Sequence, residues 1–517
     1  MKKTLLACCF AYFGLMAFAD TTLAQTAKVV WGPALKEPKK TATTKIIGSD
    51  KNGFYTLRTG GYSMFNRVGD SKFLERYDNQ NKLVYSKEIS IPVPEKPKQK
   101  FQFENIYYLN GGLIMFTSHL NKDKRSMYAS HISPDGVVDN RLVEVSSISE
   151  SAKRSSGTFE TRLSNDSTKI LIFANLPYEK NENEKFEFKV IDNHLQTVST
   201  KALTLPQRDK DVTISNYRVD NEGNVYVMLS TDKSRAEKNR KEQKFTYKVL
   251  GYFHKENLTK EYEVAIPNKF ITDITFDIDK NQNLVVAGFY AVDKKLKTEG
   301  TFFLKVDFET KKVLTQGVKQ FGTEFMEMFM SKSKAKSAHA GVANMSLVKL
   351  IIREDGGALL VAEQAYMYIT EINNGRHRSK VYHYVNNDII FVNINPDGSV
   401  QWISRVPKKQ HTTNDGAMYS SYSISVMQDK LYLIYNDHAK NIAISEPRKL
   451  KQMNKPHKAV TMLVAMDNRG QFTKTALFPA REHKSIVRPS FYLQNNNNVI
   501  IYSETERNYR FGNINFN

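Results

Sequence analysis

The sequence predicts an all-β protein built from one repeated unit of four antiparallel strands. A tight polar turn followed by an apolar run returns about eight times, as in Asp220-Asn221-Glu222-Gly223 before residues 224–229. Successive turns lie roughly 55 to 75 residues apart, a spacing typical of stacked or radial repeats. Four antiparallel strands per repeat form the blade of a β-propeller. We therefore expect eight four-stranded blades, with seven as the alternative if one unit is wrongly divided.

The turns share Asn, Asp and Gly, which favour tight reversals of the chain. They occupy residues 49–53, 110–112, 165–167, 220–223, 279–283, 354–357, 428–430 and 495–498. The segments between them alternate and are rich in β-branched and aromatic residues, as strands are. In the sixth unit this pattern predicts strands at residues 347–352, 358–362, 389–394 and 399–406.

The two ends of the chain predict how the ring closes. After Arg481 only three strands fit, at residues 488–493, 499–502 and 509–515. Residues 28–34 can supply the missing fourth strand, and their Val29-Val30-Trp31 is similar to the fourth-strand segment Val400-Gln401-Trp402. An N-terminal strand that completes the last blade would remove a free sheet edge.

The N-terminus has the pattern of a secretory signal peptide. Lys2 and Lys3 precede a mostly apolar stretch at residues 5–18, and Ala24 offers a small residue at a cleavage position. We expect a signal peptide at 1–24 and a single propeller domain at 25–517, exported to the periplasm, the cell surface or the medium. Both cysteines, Cys8 and Cys9, lie in the predicted signal peptide, so the mature chain can form no disulfide.

A short insert interrupts the strand pattern near residues 321–344. Phe325, Met328 and Phe329 share one face of a helix, and three lysines follow at Lys332, Lys334 and Lys336. Such a helix can cover the end of a core, or it can contact a membrane or a partner. Nothing after Gln25 is apolar for long enough to cross a bilayer.

The composition is basic, with 75 Lys and Arg against 54 Asp and Glu and a net charge of +21. Such an excess favours encounter with anionic partners, although it also serves solubility alone. The cations are spread through the repeats and not collected in a tail, so we expect no nucleic acid partner. We expect no cofactor, because the chain contains no P-loop and no GxGxxG motif.

Loop lengths select one face of the propeller. The turns between first and second strands and between third and fourth strands are short, whereas the other connections are long, as at residues 321–344, 371–387, 408–419 and 437–458. We call the end that carries these connections the long-loop face and the other end the short-turn face. Functional residues concentrate on loops held by a rigid scaffold. We expect the ligand-binding residues there: Arg376, Arg378, Lys408, Lys409, His411, Asn414, Asp415, Asp437, His438, Lys449 and Lys451.

These residues permit two interpretations. The cations could form a positive rim for phosphate, sulfate or carboxylate groups, or they could be charged loop tips that only keep the protein soluble. Five histidines fall in the same region, at His377, His383, His411, His438 and His457. No pair has the HExxH spacing, and the Asp277 to Asn283 segment lacks the central Gly of a calcium loop, so we predict no metal site.

Several short runs resemble one group of proteins. They are Pro396-Asp397-Gly398, Val406-Pro407-Lys408-Lys409-Gln410, Asn414-Asp415-Gly416 and Leu433-Ile434-Tyr435-Asn436-Asp437. Together they resemble exported β-propeller-like proteins of Bacteroidota without an assigned activity. The resemblance implies export and the propeller, and it carries over no catalytic residue.

The sequence favours a binding or scaffolding module that contacts an envelope component or an anionic glycan. The alternative is an enzyme acting on polysaccharide, a glycosidase or lyase, with its site on the loops of the sixth and seventh blades. A binding module retains its ligand without turnover, whereas an enzyme releases product.

Overall fold

A computed structural model describes most of the chain after its N-terminal segment. The described residues are 27–60, 71–92, 101–149, 157–179, 181–232, 245–293, 296–337, 340–373, 378–444, 446–495, 497–505 and 507–516. The predicted signal peptide, residues 233–244, Arg376 and His377 lie outside them.

The described residues form eight antiparallel sheets, each a blade whose first and fourth strands are its two edges. Two short N-terminal strands are β1 (Lys28–Trp31) and β2 (Leu35–Lys36). Blade 1 contains β3 (Thr41–Asp50), β4 (Gly53–Gly60), β5 (Lys72–Asp78) and β6 (Leu83–Glu88). Blade 2 contains β7 (Gln102–Leu109), β8 (Gly112–Asn121), β9 (Lys124–Ile132) and β10 (Val143–Ser149). Blade 3 contains β11 (Thr158–Leu163), β12 (Lys169–Asn175), β13 (Asn183–Asp192) and β14 (Thr197–Arg208).

Blade 4 contains β15 (Val212–Val219), β16 (Val225–Asp232), β17 (Phe245–Phe253) and β18 (Leu258–Val264). Blade 5 contains β19 (Phe270–Ile278), β20 (Leu284–Ala291), β21 (Gly300–Val306) and β22 (Val313–Gln320). Helices α1 (Thr323–Glu327) and α2 (Lys332–Ala335) follow. Blade 6 contains β23 (Met345–Ile352), β24 (Ala358–Asn373), β25 (Arg378–Ile394) and β26 (Val400–Val406), with β27 (Gln410–Thr413) added beside β25.

Blade 7 contains β28 (Ser423–Met427), β29 (Lys430–His438), β30 (Ala459–Met466) and β31 (Phe472–Pro479). A short helix, α3 (Ala480–His483), leads to blade 8, which contains β32 (Ile486–Asn495), β33 (Asn498–Glu504) and β34 (Asn508–Asn515). The prediction of eight four-stranded blades is confirmed. Each predicted turn connects the first and second strands of a blade.

The apolar runs after the turns are the second strands. All eight described residues of β4 and all eight of β20 are buried. A blade packs against a neighbour on each side, so a strand in its middle is apolar on both faces. The outermost strands are more exposed, as in β6 and β22. Within the described residues, eight apolar clusters fill the spaces between adjacent blades.

The last blade is closed by the N-terminal strand, as the sequence predicts. β1 pairs antiparallel with β34 from Lys28 opposite Asn515 to Trp31 opposite Gly512, and β2 pairs with the other end of β34. The outer strand of blade 8 therefore comes from the opposite end of the chain.

A buried polar network joins blade 8 to blade 1. The Arg58 guanidinium donates to Glu75 Oε1 at 2.7 Å, pairs with Glu37 and lies over the Tyr509 ring at 4.4 Å. The Tyr77 hydroxyl lies 2.9 Å from Glu75 Oε2 and 3.1 Å from the Tyr509 hydroxyl. Since a buried charge is tolerated only when it is paired and hydrogen-bonded, this network fixes the relative position of the first and last blades.

The insert between blades 5 and 6 is helical and has a structural role. Phe325 and Met326 are buried in the apolar cluster between these blades. The carbonyls that follow α1 are capped by arginines: Arg405 donates to Met328 O, and Arg448 donates to Met330 O at 2.7 Å. No helix among the described residues has the length and apolarity needed to cross a membrane.

Candidate functional site

The most unusual element of the long-loop face is an extension of blade 6. β24 and β25 have 16 and 17 residues, whereas β23 and β26 have 8 and 7. Their pairing continues past the blade from Ala365 opposite Asn386 to Asn373 opposite Arg378. We call residues 365–373 and 378–386 the projecting hairpin. The prediction of a long loop at 371–387 is therefore wrong for its described residues, because they pair as strands.

Large apolar side chains are exposed on both faces of the projecting hairpin. Side chains alternate across a strand, so Tyr366, Tyr368 and Ile372 share one face. Met367 and Ile369 lie on the other face, where Tyr382 is opposite Ile369. These six side chains are between 39% and 53% exposed. Exposed apolar side chains clustered on one element in this way mark an interaction surface in a folded protein.

A hydrogen-bonded pair of histidines supports one face of the projecting hairpin. His383 stacks on the Tyr368 ring at a centroid distance of 4.4 Å, and Tyr366 lies 6.2 Å further along the same face. His383 Nδ1 lies 3.0 Å from His411 Nε2, and His383 Nε2 lies 2.8 Å from Thr370 Oγ1. These contacts form one continuous row of rings.

The donor and acceptor roles along this row of hydrogen bonds follow from Gln452. Its amide Nε2 can only donate, so His411 Nδ1 accepts at 2.8 Å and the His411 proton lies on Nε2. His411 then donates to His383 Nδ1, and His383 donates to Thr370. Burial, aided by the neighbouring His383, lowers the pKa of His411, which favours the neutral ring. Each ring nitrogen of the two imidazoles has a hydrogen-bond partner within the protein.

Lys408 is not part of a solvent-exposed rim, contrary to the prediction. It is 1% exposed, and its Nζ donates to Glu363 Oε1 at 2.6 Å, Asn386 O at 2.8 Å and Gln410 Oε1 at 2.8 Å. Ser421 Oγ donates to the other Glu363 oxygen at 2.8 Å. The ammonium is buried because three acceptors surround it, and it anchors the base of the projecting hairpin to the 410–421 loop.

Asp437 is also buried and paired within the protein. It accepts from Lys474 Nζ at 2.5 Å and from Asn441 Nδ2 at 2.8 Å. Asn441 in turn accepts from the backbone N–H of Lys451 at 2.8 Å. His438 Nδ1 accepts from Lys440 N at 3.2 Å. Asp437 and His438 therefore shape the 437–458 loop.

Asn414 and Asp415 fasten the next loop to the projecting hairpin. Asn414 Oδ1 accepts from the backbone N–H of Tyr382 at 2.9 Å. Asp415 Oδ1 accepts from Thr412 Oγ1 at 2.8 Å and from Ala417 N at 3.0 Å. Both side chains use their oxygens to hold the backbone in place.

The remaining predicted cations are exposed. Arg378, Lys409, Lys449 and Lys451 all have exposed side chains, and Lys449 pairs with Glu446 at 2.7 Å. Lys380, which is not among the predicted residues, is exposed on the projecting hairpin. Arg376 falls outside the described residues. Of the predicted set, these four cations and Asn414 are exposed, and His411, Asp415 and His438 are half-buried, so a ligand at this face could reach them.

Cavities among the described residues also lie away from the projecting hairpin. One of about 590 Å³ lies on the short-turn face between blades 6 and 7, where Trp402, Arg353 and Asn393 line it. Another of about 340 Å³ lies at blade 3 and is lined by Glu179, Glu187 and Asp209, among others. No group of three or more metal-binding side chains converges among the residues that the structure describes.

No protein-family model and no curated protein matches the chain. Among solved structures, polysaccharide lyase Uly1 aligns at 9% identity and a TM-score of 0.36 over 82% of this chain and 94% of that one. A protein of unknown function from Bacteroides caccae aligns at 11% identity and a TM-score of 0.27, over 68% and 93% of the two chains. The GH43 endo-arabinanase from Bacillus licheniformis aligns at 14% identity and 0.21, over 53% and 97%.

The architecture defines the class of protein, an eight-bladed β-propeller. Propellers host unrelated activities, so similarity at such identities transfers no activity or site residue to this chain.

Proposed function

We propose that this chain is an exported, non-catalytic binding module that contacts an anionic envelope component or anionic glycan through its long-loop face at blades 6 and 7. One observation carries the proposal: exposed aromatic and aliphatic side chains lie on the projecting hairpin beside the exposed cations Arg378 and Lys380. Apolar contacts supply affinity, and the cations select negative charge and accelerate encounter.

The polar side chains that bond within this face support a binding role. Lys408, Asn414 and Asp437 use their polar atoms to hold loops in place. A binding surface that is ordered before its ligand arrives loses less entropy on binding. The projecting hairpin is therefore a pre-formed surface.

The test uses the mature chain from Gln25, with immobilised polyuronate and anionic lipid vesicles as two probes. We expect saturable retention that weakens between 0.05 and 0.5 M NaCl, because exposed charges are screened beyond about 10 Å at about 0.1 M salt. The variant Arg378→Gln, Lys380→Gln, Lys409→Gln should lose most of the retention. A matched control, Lys51→Gln, Lys82→Gln, Lys312→Gln, removes three exposed charges from short-turn-face turns. Equal losses in both variants would mean that only net charge matters, and the proposal would fail.

The row of Tyr366, Tyr368, His383 and His411 favours a second candidate, an enzyme acting on polysaccharide. Tyrosine and histidine side chains are common proton-transfer groups. This candidate predicts release of shortened chains from an acidic polysaccharide, and that release should stop in His383→Ala. Saturable retention with no product would exclude it for the polymers tested.

A further inference from the structure

We propose that the projecting hairpin is a membrane-interface element that seats in the headgroup layer of an anionic lipid surface. This inference rests on the proposed function and names the partner of the same face. Its first support is that the hairpin is apolar on both faces, with Tyr366 and Tyr368 on one and Met367 and Ile369 on the other. A polysaccharide chain would contact only one face of the hairpin, whereas a lipid headgroup layer can surround a hairpin that has apolar side chains on both faces.

The residue types fit the boundary between lipid and water. Tyr366, Tyr368 and Tyr382 each combine an apolar ring with a polar hydroxyl, and tyrosine is enriched at membrane interfaces for that reason. Ile369 and Ile372, 45% and 46% exposed, supply the side chains that can enter the acyl boundary. Binding of interfacial elements increases with the apolar area that they bury.

The charges around the projecting hairpin select an anionic surface. Arg378 and Lys380 are exposed on β25, and Lys409 and Lys451 are exposed near its base. The carboxylate of Glu371 is the acidic group in the described strands of the hairpin, and it lies opposite Lys380 in the pairing register. Basic residues near an anionic leaflet are attracted to its negative surface potential. A second copy of this chain also has a net charge of +21, so it would repel these cations and is not the partner that they favour.

The base of the projecting hairpin is held by contacts with neighbouring elements, and its apolar side chains are exposed in this arrangement. β27 adds a third strand beside β25, Asn414 caps the Tyr382 N–H, and Lys408 joins the base to the neighbouring loop. Anchoring at the base leaves the part farther from the blade free to enter a surface.

The experiment is co-sedimentation of the mature chain with vesicles of phosphatidylcholine alone and of phosphatidylcholine with phosphatidylglycerol. We expect binding to the mixed vesicles and little to the neutral ones. The triple variant Met367→Ser, Ile369→Ser, Ile372→Ser should reduce binding by about tenfold or more, since bound apolar area drives the insertion. The matched control Val84→Ser, Leu314→Ser, Val318→Ser removes exposed apolar side chains, 60%, 46% and 43% exposed, from outer strands. Unchanged thermal unfolding shows that each variant is folded.

A second measurement reports insertion directly. Tyr366→Trp should shift its emission to shorter wavelength on mixed vesicles and not with polyuronate. Binding of the triple variant equal to that of the unmodified chain would overturn the lipid proposal. Hairpin-dependent retention on polyuronate without vesicle binding would also overturn it but leave the proposed function standing. Retention on neither probe would remove both.

Discussion

Replacing Lys408 should strongly destabilise the protein, although its neighbour Lys409 should tolerate the same change. Lys408 is 1% exposed, and its ammonium is the counter-ion of Glu363, which is 3% exposed. Lys408→Met leaves a buried carboxylate that keeps its Asn386 and Ser421 donors but loses its cation. Breaking a buried pair by removing one partner costs about 3–5 kcal/mol of the free energy of unfolding. Lys409 is exposed, so Lys409→Met should change this free energy by less than about 0.5 kcal/mol.

The assay is urea unfolding of the mature chain, followed by circular dichroism and by fluorescence. A double-mutant cycle with Glu363→Gln separates the interaction energy of the Lys408–Glu363 pair from the energies of their other contacts. Each single variant should be less stable, and Lys408→Met combined with Glu363→Gln should recover much of the loss, because no uncompensated charge then remains buried. Burial lowers the pKa of Lys408, and the adjacent Glu363 opposes this effect. If Lys408→Met and Lys409→Met lose the same small amount, the network described here is wrong and Lys408 faces solvent.

Three further predictions concern the scaffold. Deleting residues 27–37 removes β1, β2 and the Glu37 partner of Arg58, so the melting temperature should fall sharply; an unchanged melting curve would contradict closure of the ring by this strand. Gly470→Ala places a Cβ 2.6 Å from Trp402 Cε3 at a φ of +77°, whereas Gly111→Ala, at a φ of +85°, places its Cβ in open space. In urea unfolding, backbone strain should lower the free energy of unfolding of both variants by about 1–2 kcal/mol, and the contact with Trp402 should lower that of Gly470→Ala further. Burial and the Asp209 carboxylate raise the pKa of Glu184 from 4.5 to about 8, so its contribution to stability is complete below about pH 4.5 and is lost as the pH rises to about 8. The melting temperature should therefore fall less steeply with pH across this range for Glu184→Gln than for the unmodified chain. An equal fall in both proteins would refute the shift.

The scaffold could be predicted because its signals are local. Each first-to-second strand turn carries its own Asn, Asp or Gly, and each second strand is a continuous apolar run. At Asp279, for example, Oδ1 accepts from the N–H groups of Asn281 and Asn283 at 2.9 Å, a contact confined to five residues. Ring closure could be predicted because residues 28–34 look like a fourth strand and the last unit lacks one.

The candidate site was harder to predict because its decisive contacts are distant in sequence. Lys408 looks like its neighbour Lys409, and only the fold brings Glu363, Asn386 and Gln410 around its ammonium. The projecting hairpin gives no period-two signal, since apolar residues occupy both of its faces from Tyr366 to Ile369. The aromatic run itself has high β-propensity, and that was the available signal for strands in this segment.

Closure of blade 8 imposes an order on the biogenesis of the chain. The first strand of the propeller to leave the ribosome, β1, pairs with the last, β34. Until Asn515 is available, Lys28 has no partner, and a nascent or prematurely terminated chain presents open edges on both sides of the gap. The entropic cost of joining such distant segments grows slowly, by about 0.6 kcal/mol for each doubling of the loop length. The pairing of β1 with β34 therefore forms late but is not weakened much by their separation in sequence. A chain that lacks only β34 would therefore have seven complete blades and an eighth with an unpaired strand edge. Because unpaired edges promote aggregation, pairing of this eight-residue strand separates the closed propeller from an aggregation-prone form.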